Sequence, residues 1–225
     1  MILLHKKRDV RFEIIEDDIN FLTIEEKKLF EQILFELGSS IKHGMEFVCI
    51  FDNDKEIDMK KTCELIVSPL DLVYDKKTYQ KVLFDLLHKD LELYDLNYEI
   101  ADAFARIIDC LNKLSLNCEY EIEFKDDELD TMKIFDIQLK EPSGTFVEKI
   151  VDYISNVRKL LRKKVIFIYN CSAYIKDDDY KHIRKLAKYE KITVVFINNA
   201  QILLKDNVNK YIIDTDMCEI HEEYI

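Results

Sequence analysis

The sequence predicts an α/β fold, a mostly parallel sheet covered by helices and interrupted by a helical insertion. Two runs, "VIFIYN" at 165–170 and "ITVVFINN" at 192–199, are almost continuously apolar, the pattern of strands buried on both faces. The 22 residues from Cys171 to Ile192 exceed the roughly one dozen that a parallel crossover needs. Between Thr78 and Asn117 the chain has helical periodicity and neither Gly nor Pro, as expected of an inserted helical segment. A length of 225 residues suits one domain with a sizeable insertion.

Val10–Ile15, "VRFEII", alternates as a strand does and ends in the polar turn "EDD". In "LTIEEKKLFEQILFELG", Thr23 is the expected helix N-cap with Glu26 three residues on, and Leu29, Ile33 and Leu37 form the apolar stripe. Gly38 is the expected stop. "MEFVCIFDND" and "TCELIVSPLDLVY" read as strands of a small mixed sheet. Two helices follow, one carrying Leu83, Leu86 and Leu87, the other Ile100, Phe104, Ile107, Ile108 and Leu111.

"CEYEIEF" alternates as a strand, an acidic cluster comes next, and Pro142 and Gly144 mark a boundary. Thr145 then caps a helix with Glu148 at the capping-box position, apolar residues at Phe146, Ile150, Ile154, Val157 and Leu161, and basic residues at its C-terminal end. After "VIFIYN", the segment "KDDDYKHIRKLAKYE" is a helix with acidic residues in its first turn, and "YIIDTDMCEIH" closes the chain with one or two short strands.

The six cysteines are widely spaced and form no C-x-x-C pair, so they read as buried thiols in a reducing compartment. No uncharged stretch is long enough to cross a membrane, and a cytoplasmic location is expected. None of the three glycines opens a phosphate loop, and "VIFIYN" ends in Asn170 and Cys171 where a magnesium-holding carboxylate commonly stands. Motifs of dinucleotide binding, serine hydrolysis and zinc proteolysis are missing too, and the five histidines are scattered.

Two charge sets remain. Net charge is -12, yet between Thr145 and Lys210 there are 14 basic and 7 acidic residues, a local charge of +7. Arg158, Lys159, Arg162, Lys163 and Lys164 gather at one helix end, and Lys181, Arg184, Lys185 and Lys188 recur at helical spacing on the next. Such stripes suit sequence-independent contact with duplex phosphates, although cations also serve helix C-termini and solubility. The acidic set starts with Glu119, Glu121 and Glu123 on one face of a strand and continues with Asp126, Asp127, Glu128 and Asp130. Hard oxygen donors of this kind suit calcium, or the metal of a nuclease; a solvated acidic face is the plainer reading.

An ordered series of stretches resembles the Csn-two family, the CRISPR-associated adaptation proteins of type II-A loci. It runs through "VRFEIIEDDI", "FLTIEEKKLFEQILFEL", "CELIVSPLDLVYD" and "VLFDLLHKDLE" to "GTFVEKIVDYISNVRKLLRKK", "KKVIFIYNCSAYIKDDDY", "ITVVFINN" and "KYIIDTDMCEI". The resemblance implies a non-catalytic homotetrameric ring that encircles double-stranded DNA, loads at its ends and acts in spacer acquisition. It implies a head like a P-loop hydrolase without the phosphate loop, at 1–64 and 140–225, and a helical leg with the acidic segment at 65–139. It also implies stabilising Ca2+, and the integrase and effector nuclease of the same system as partners. The channel surface carries over only as a set led by Arg158, Lys159, Arg162, Lys181 and Lys185. The opening "MILLHKK" lies outside the resemblance and is expected to be an added few residues. A metal-dependent nuclease, a degenerate nucleotide hydrolase and a protein-only scaffold stay open as alternatives.

Overall fold

The computed structural model describes residues 1–8, 10–116, 136–202 and 208–222. The chain divides into two compact units, one of residues 1–73 with 141–225 and one of 74–140. In the first unit, β1 (Ile2–His5), β2 (Arg11–Glu13), β4 (Val48–Asp52) and β5 (Lys55–Glu56) form an antiparallel sheet in the order β2-β1-β4-β5. A second, six-stranded sheet has the order β10-β9-β3-β8-β7-β6, made of β3 (Ile19–Ile24), β6 (Cys63–Ile66), β7 (Val165–Tyr169), β8 (Thr193–Asn198), β9 (Asn209–Ile213) and β10 (Glu219–Glu222). Its strands pair in parallel except for β10 on β9.

The larger sheet is buried on both faces because its strands carry apolar side chains at consecutive positions. Phe167, Ile168, Val195, Phe196 and Ile197 are all 0% exposed, each side chain of this size contributing about 1.5–3 kcal/mol on burial. On one face Leu22, Phe167 and Val195 share a core with Leu29, Phe30, Ile33 and Leu37 of α1 (Lys27–His43). On the other, Tyr180 of α6 (Asp177–Glu190) meets Phe21 and Phe196 edge-on at 5.3 and 5.0 Å. β7, α6 and β8 form the expected crossover unit.

Several expectations change. The opening residues "MILLHKK" are no added tail: β1 sits between β2 and β4, with Leu3 3% exposed. "INFLTI" is a strand, so Thr23 lies within β3 and caps nothing. Asn20 in that strand is fully buried yet satisfied, since its amide exchanges hydrogen bonds with the Ile15 backbone and accepts from Asn209 Nδ2 at 2.8 Å. The N-cap of α1 is Glu26, and the helix runs through Gly38 to end at Gly44, whose φ of 68° is left-handed. Gly38 lies inside α1 beside β6, where a Cβ would meet Leu65 at 3.4 Å, an ordinary contact. The mixed sheet expected of 45–74 resolves into β4 in the antiparallel sheet and β6 at the edge of the parallel one.

α2 (Met59–Thr62) is one turn leading into β6. α5 (Phe146–Leu161) opens with the predicted capping box, Thr145 Oγ1 accepting from the Glu148 N–H at 3.3 Å and Glu148 Oε2 accepting from the Thr145 N–H at 2.7 Å. The second unit holds the two predicted helices, α3 (Lys76–Leu93) and α4 (Asn97–Ser115). The first unit extends to Val73 instead of stopping at 64, because β6 hydrogen-bonds to β7 and carries the chain across the sheet edge before α3 begins.

Candidate nucleic-acid interface

Parallel α/β sheets usually bind ligands at the C-terminal ends of their strands, where helix N-termini offer unpaired N–H groups to anions. Here that edge is furnished with carboxylates. Two residues, Glu25 and Glu26, join β3 to α1, and Glu26 accepts from the N–H groups of Lys28 at 3.1 Å and Leu29 at 2.6 Å. Those two hydrogen bonds hold the Glu26 carboxyl below its ordinary range. α6 opens with Asp177, Asp178 and Asp179, and Asp179 accepts from the Lys176 N–H at 2.9 Å. The start of α1 is therefore capped by a carboxylate, and that of α6 is surrounded by three.

Most of the predicted basic stripe is engaged within the fold. Arg158 donates from Nε to the Glu190 carbonyl at 3.0 Å and from Nη1 to that of Lys163 at 3.3 Å. Lys159 pairs with Glu190 at 2.9 Å. Lys163 donates to the Lys60 carbonyl at 2.7 Å, beside Glu64 at 3.9 Å. Burial pushes the Glu64 carboxyl up, against the opposing charges of Lys163 and Lys42.

On α6, Arg184 clamps the buried carboxylate of Asp18 through two bonds of 2.7 and 2.8 Å, and Lys188 reaches the same group at 3.4 Å. A fork of this geometry fixes α6 against the start of β3. Lys181 pairs with Asp178 at 3.0 Å. Arg162, Lys164 and Lys185 are exposed and hold no acidic partner among the described residues.

Three cations absent from the predicted set join this region. Lys60 and Lys61 precede β6, and Lys191 precedes β8, as Lys163 and Lys164 precede β7. All three are exposed. The signal was present in "KKTCELI", "KKVIFI" and "EKITVVF", which repeat a lysine two residues before a strand.

The predicted metal residues, Glu119, Glu121, Glu123, Asp126, Asp127, Glu128 and Asp130, lie outside the described residues. Among the described residues no group of three or more His, Cys, Asp or Glu side chains could hold a metal ion. No helix among them is long and apolar enough to cross a membrane. Cys63 and Cys171 are fully buried, and burial pushes both thiols up to about 12.

The family described as CRISPR-associated protein (Cas_Csn2) matches residues 40–217. Two curated relatives carry the name CRISPR-associated protein Csn2. That of Streptococcus agalactiae is 23% identical over 235 residues, covering 96% of this chain and 99% of the relative. That of Enterococcus faecalis is 22% identical over 233 residues, covering 95% and 99%. Among solved structures, cbiO1 from Clostridium perfringens, part of the ABC transporter complex cbiONQ, matches with a TM-score of 0.45 and 13% identity over 90% of this chain and 76% of that one.

Proposed function

Because the chain belongs to the Cas_Csn2 family of CRISPR-associated proteins, we propose that it binds double-stranded DNA during spacer acquisition, as a homotetrameric ring that carries out no bond chemistry. The observation that carries this reading is the distribution of unpaired charge. Arg162, Lys164 and Lys185 are exposed cations without acidic partners among the described residues. At the start of α1 Glu26 accepts the N–H groups that would greet a nucleotide phosphate, and α6 opens with three aspartates, Asp179 accepting from the Lys176 N–H just before it. A carboxylate accepting helix N–H groups occupies the place of a phosphate, and first-turn carboxylates repel another anion. In this reading the head is a nucleotide-hydrolase-like sheet without its phosphate loop, whose ligand is a polyanion gripped from outside by Lys and Arg.

Calcium belongs to the proposal through Glu119, Glu121, Glu123 and the acids that follow them, donors of the kind the ion takes. The integrase and effector nuclease of the same system are the proposed protein partners. Binding through phosphates releases counterions, so affinity for duplexes of unrelated sequence should be equal and log Kobs should fall linearly with log salt concentration. Anisotropy titrations of two unrelated duplexes over a salt series test this. A flat salt response, or discrimination between the two sequences, would overturn it.

A further inference from the structure

We propose that the duplex lies along the N-terminal edge of the parallel sheet, gripped by a band that runs from Lys60 and Lys61 through Arg162 and Lys164 to Lys191. This rests on the DNA-binding reading above and names its surface. β6, β7 and β8 are adjacent and in register, Cys63 beside Val165 and Val165 beside Thr193. The residues ahead of each strand are tied together, the Lys164 N–H to the Thr62 carbonyl at 2.7 Å and the Thr193 N–H to the Lys164 carbonyl at 2.8 Å. Three neighbouring strands span about 10 Å, over which a duplex carries several phosphate charges.

Two of these cations sit where the backbone argues against them. Arg162 ends α5 at φ 56° and Lys191 ends α6 at φ 52°, both left-handed. Helices commonly end this way on Gly, since any Cβ is disfavoured there. Strained residues of this kind tend to persist at functional sites. At the C-terminus of α6 the ordinary service of a cation is already rendered by Arg158, which donates to the Glu190 carbonyl at 3.0 Å. Arg162 and Lys191 point no charge at an acid among the described residues.

Several acids of this edge are themselves engaged, Asp58 with Lys61, Glu190 with Lys159, and Asp18 with Arg184 and Lys188, while Asp17, whose N–H donates to Thr193 Oγ1 at 3.0 Å, adds one half-buried carboxylate. At the opposite edge stand Glu25, Glu26 and the three aspartates of α6, offset in part by Lys27, Lys28 and Lys176. The sheet is thus polarised, and a polyanion is drawn to one end of its strands and repelled from the other.

The test replaces both strained cations with the residue the backbone prefers, Arg162→Gly with Lys191→Gly. Relief of strain raises Tm by about 2–4 °C, while the slope of log Kobs against log salt becomes shallower by about 2. Opposite shifts in stability and affinity are what a merely structural role would not produce. Arg162→Lys with Lys191→Arg keeps the wild-type slope, and so does Lys27→Ala with Lys28→Ala at the opposite edge of the sheet. A glycine variant with the wild-type slope, a Tm that does not rise, or an equal loss in the α1 pair would overturn the assignment. Wild-type protein that binds no duplex overturns the reading beneath it instead. If the glycine variant does not fold, amine labelling of the wild type decides: bound duplex should shield Lys60, Lys61, Lys164 and Lys191, and their undiminished labelling would sink the proposal.

Discussion

His5 shows how one buried polar pair ties the antiparallel sheet of the first unit to α1. It is 4% exposed at the end of β1. Its Nδ1 accepts from the Lys7 N–H at 3.2 Å, which leaves the ring hydrogen on Nε2 to donate to Glu36 of α1 at 2.6 Å. Gln32 donates to the same carboxylate at 3.2 Å. Burial pushes the Glu36 carboxyl up, but these two donors outweigh it and hold the group below its ordinary value of 4.5. A depressed carboxyl stabilises the fold above its unfolded value and loses that contribution as pH falls through the folded one. Urea unfolding of Glu36→Gln should therefore show a shallower loss of stability below about pH 4.5 than wild type. An unchanged acid limb would refute the pairing. Nothing in "MILLHKK" advertised this role, because a histidine's partner 31 residues away is set by tertiary packing and leaves no local pattern.

At the scale of elements, caps and periodicity were readable where they are local. The sequence "GTFVEKIV" carries the whole start of α5, and the capping box forms between Thr145 and Glu148 as that spacing requires. Thr145→Ala should destabilise the first unit by about 1 kcal/mol, measured as a shift in the urea midpoint at unchanged m-value; no shift would mean the helix start is held by something else. β3 was not readable, since "INFLTI" mixes Asn20 and Thr23 into a run that also fits a helix start. Only the neighbours β8 and β9, which come more than 170 residues later, make it a central strand. The same limit hid part of the candidate interface. Arg158, Lys163 and Arg184 look equivalent to Arg162 and Lys164 in sequence, and only packing shows that the first three bond to carbonyls and to Asp18. Lys60, Lys61 and Lys191 join the edge through strand order, which no spacing within one segment encodes.

Across the whole molecule, the acidic total of -12 and the proposed polyanionic ligand are reconciled by segregation of charge. The first unit places cations before its parallel strands and carboxylates at the helix starts beyond them. In the second unit, α4 carries Ile100 and Ile107 at 37 and 47% exposure. An apolar stripe left open in this way suits association with further copies of the chain, as the proposed ring requires. A ring that must be threaded discriminates by topology, which a surface patch alone cannot do. The direct measurement is binding to linear and to covalently closed circular duplex of one sequence, in calcium and without competitor. The account predicts retention on the linear form, whose open ends admit the ring, and little on the closed circle. Equal retention on both would contradict it.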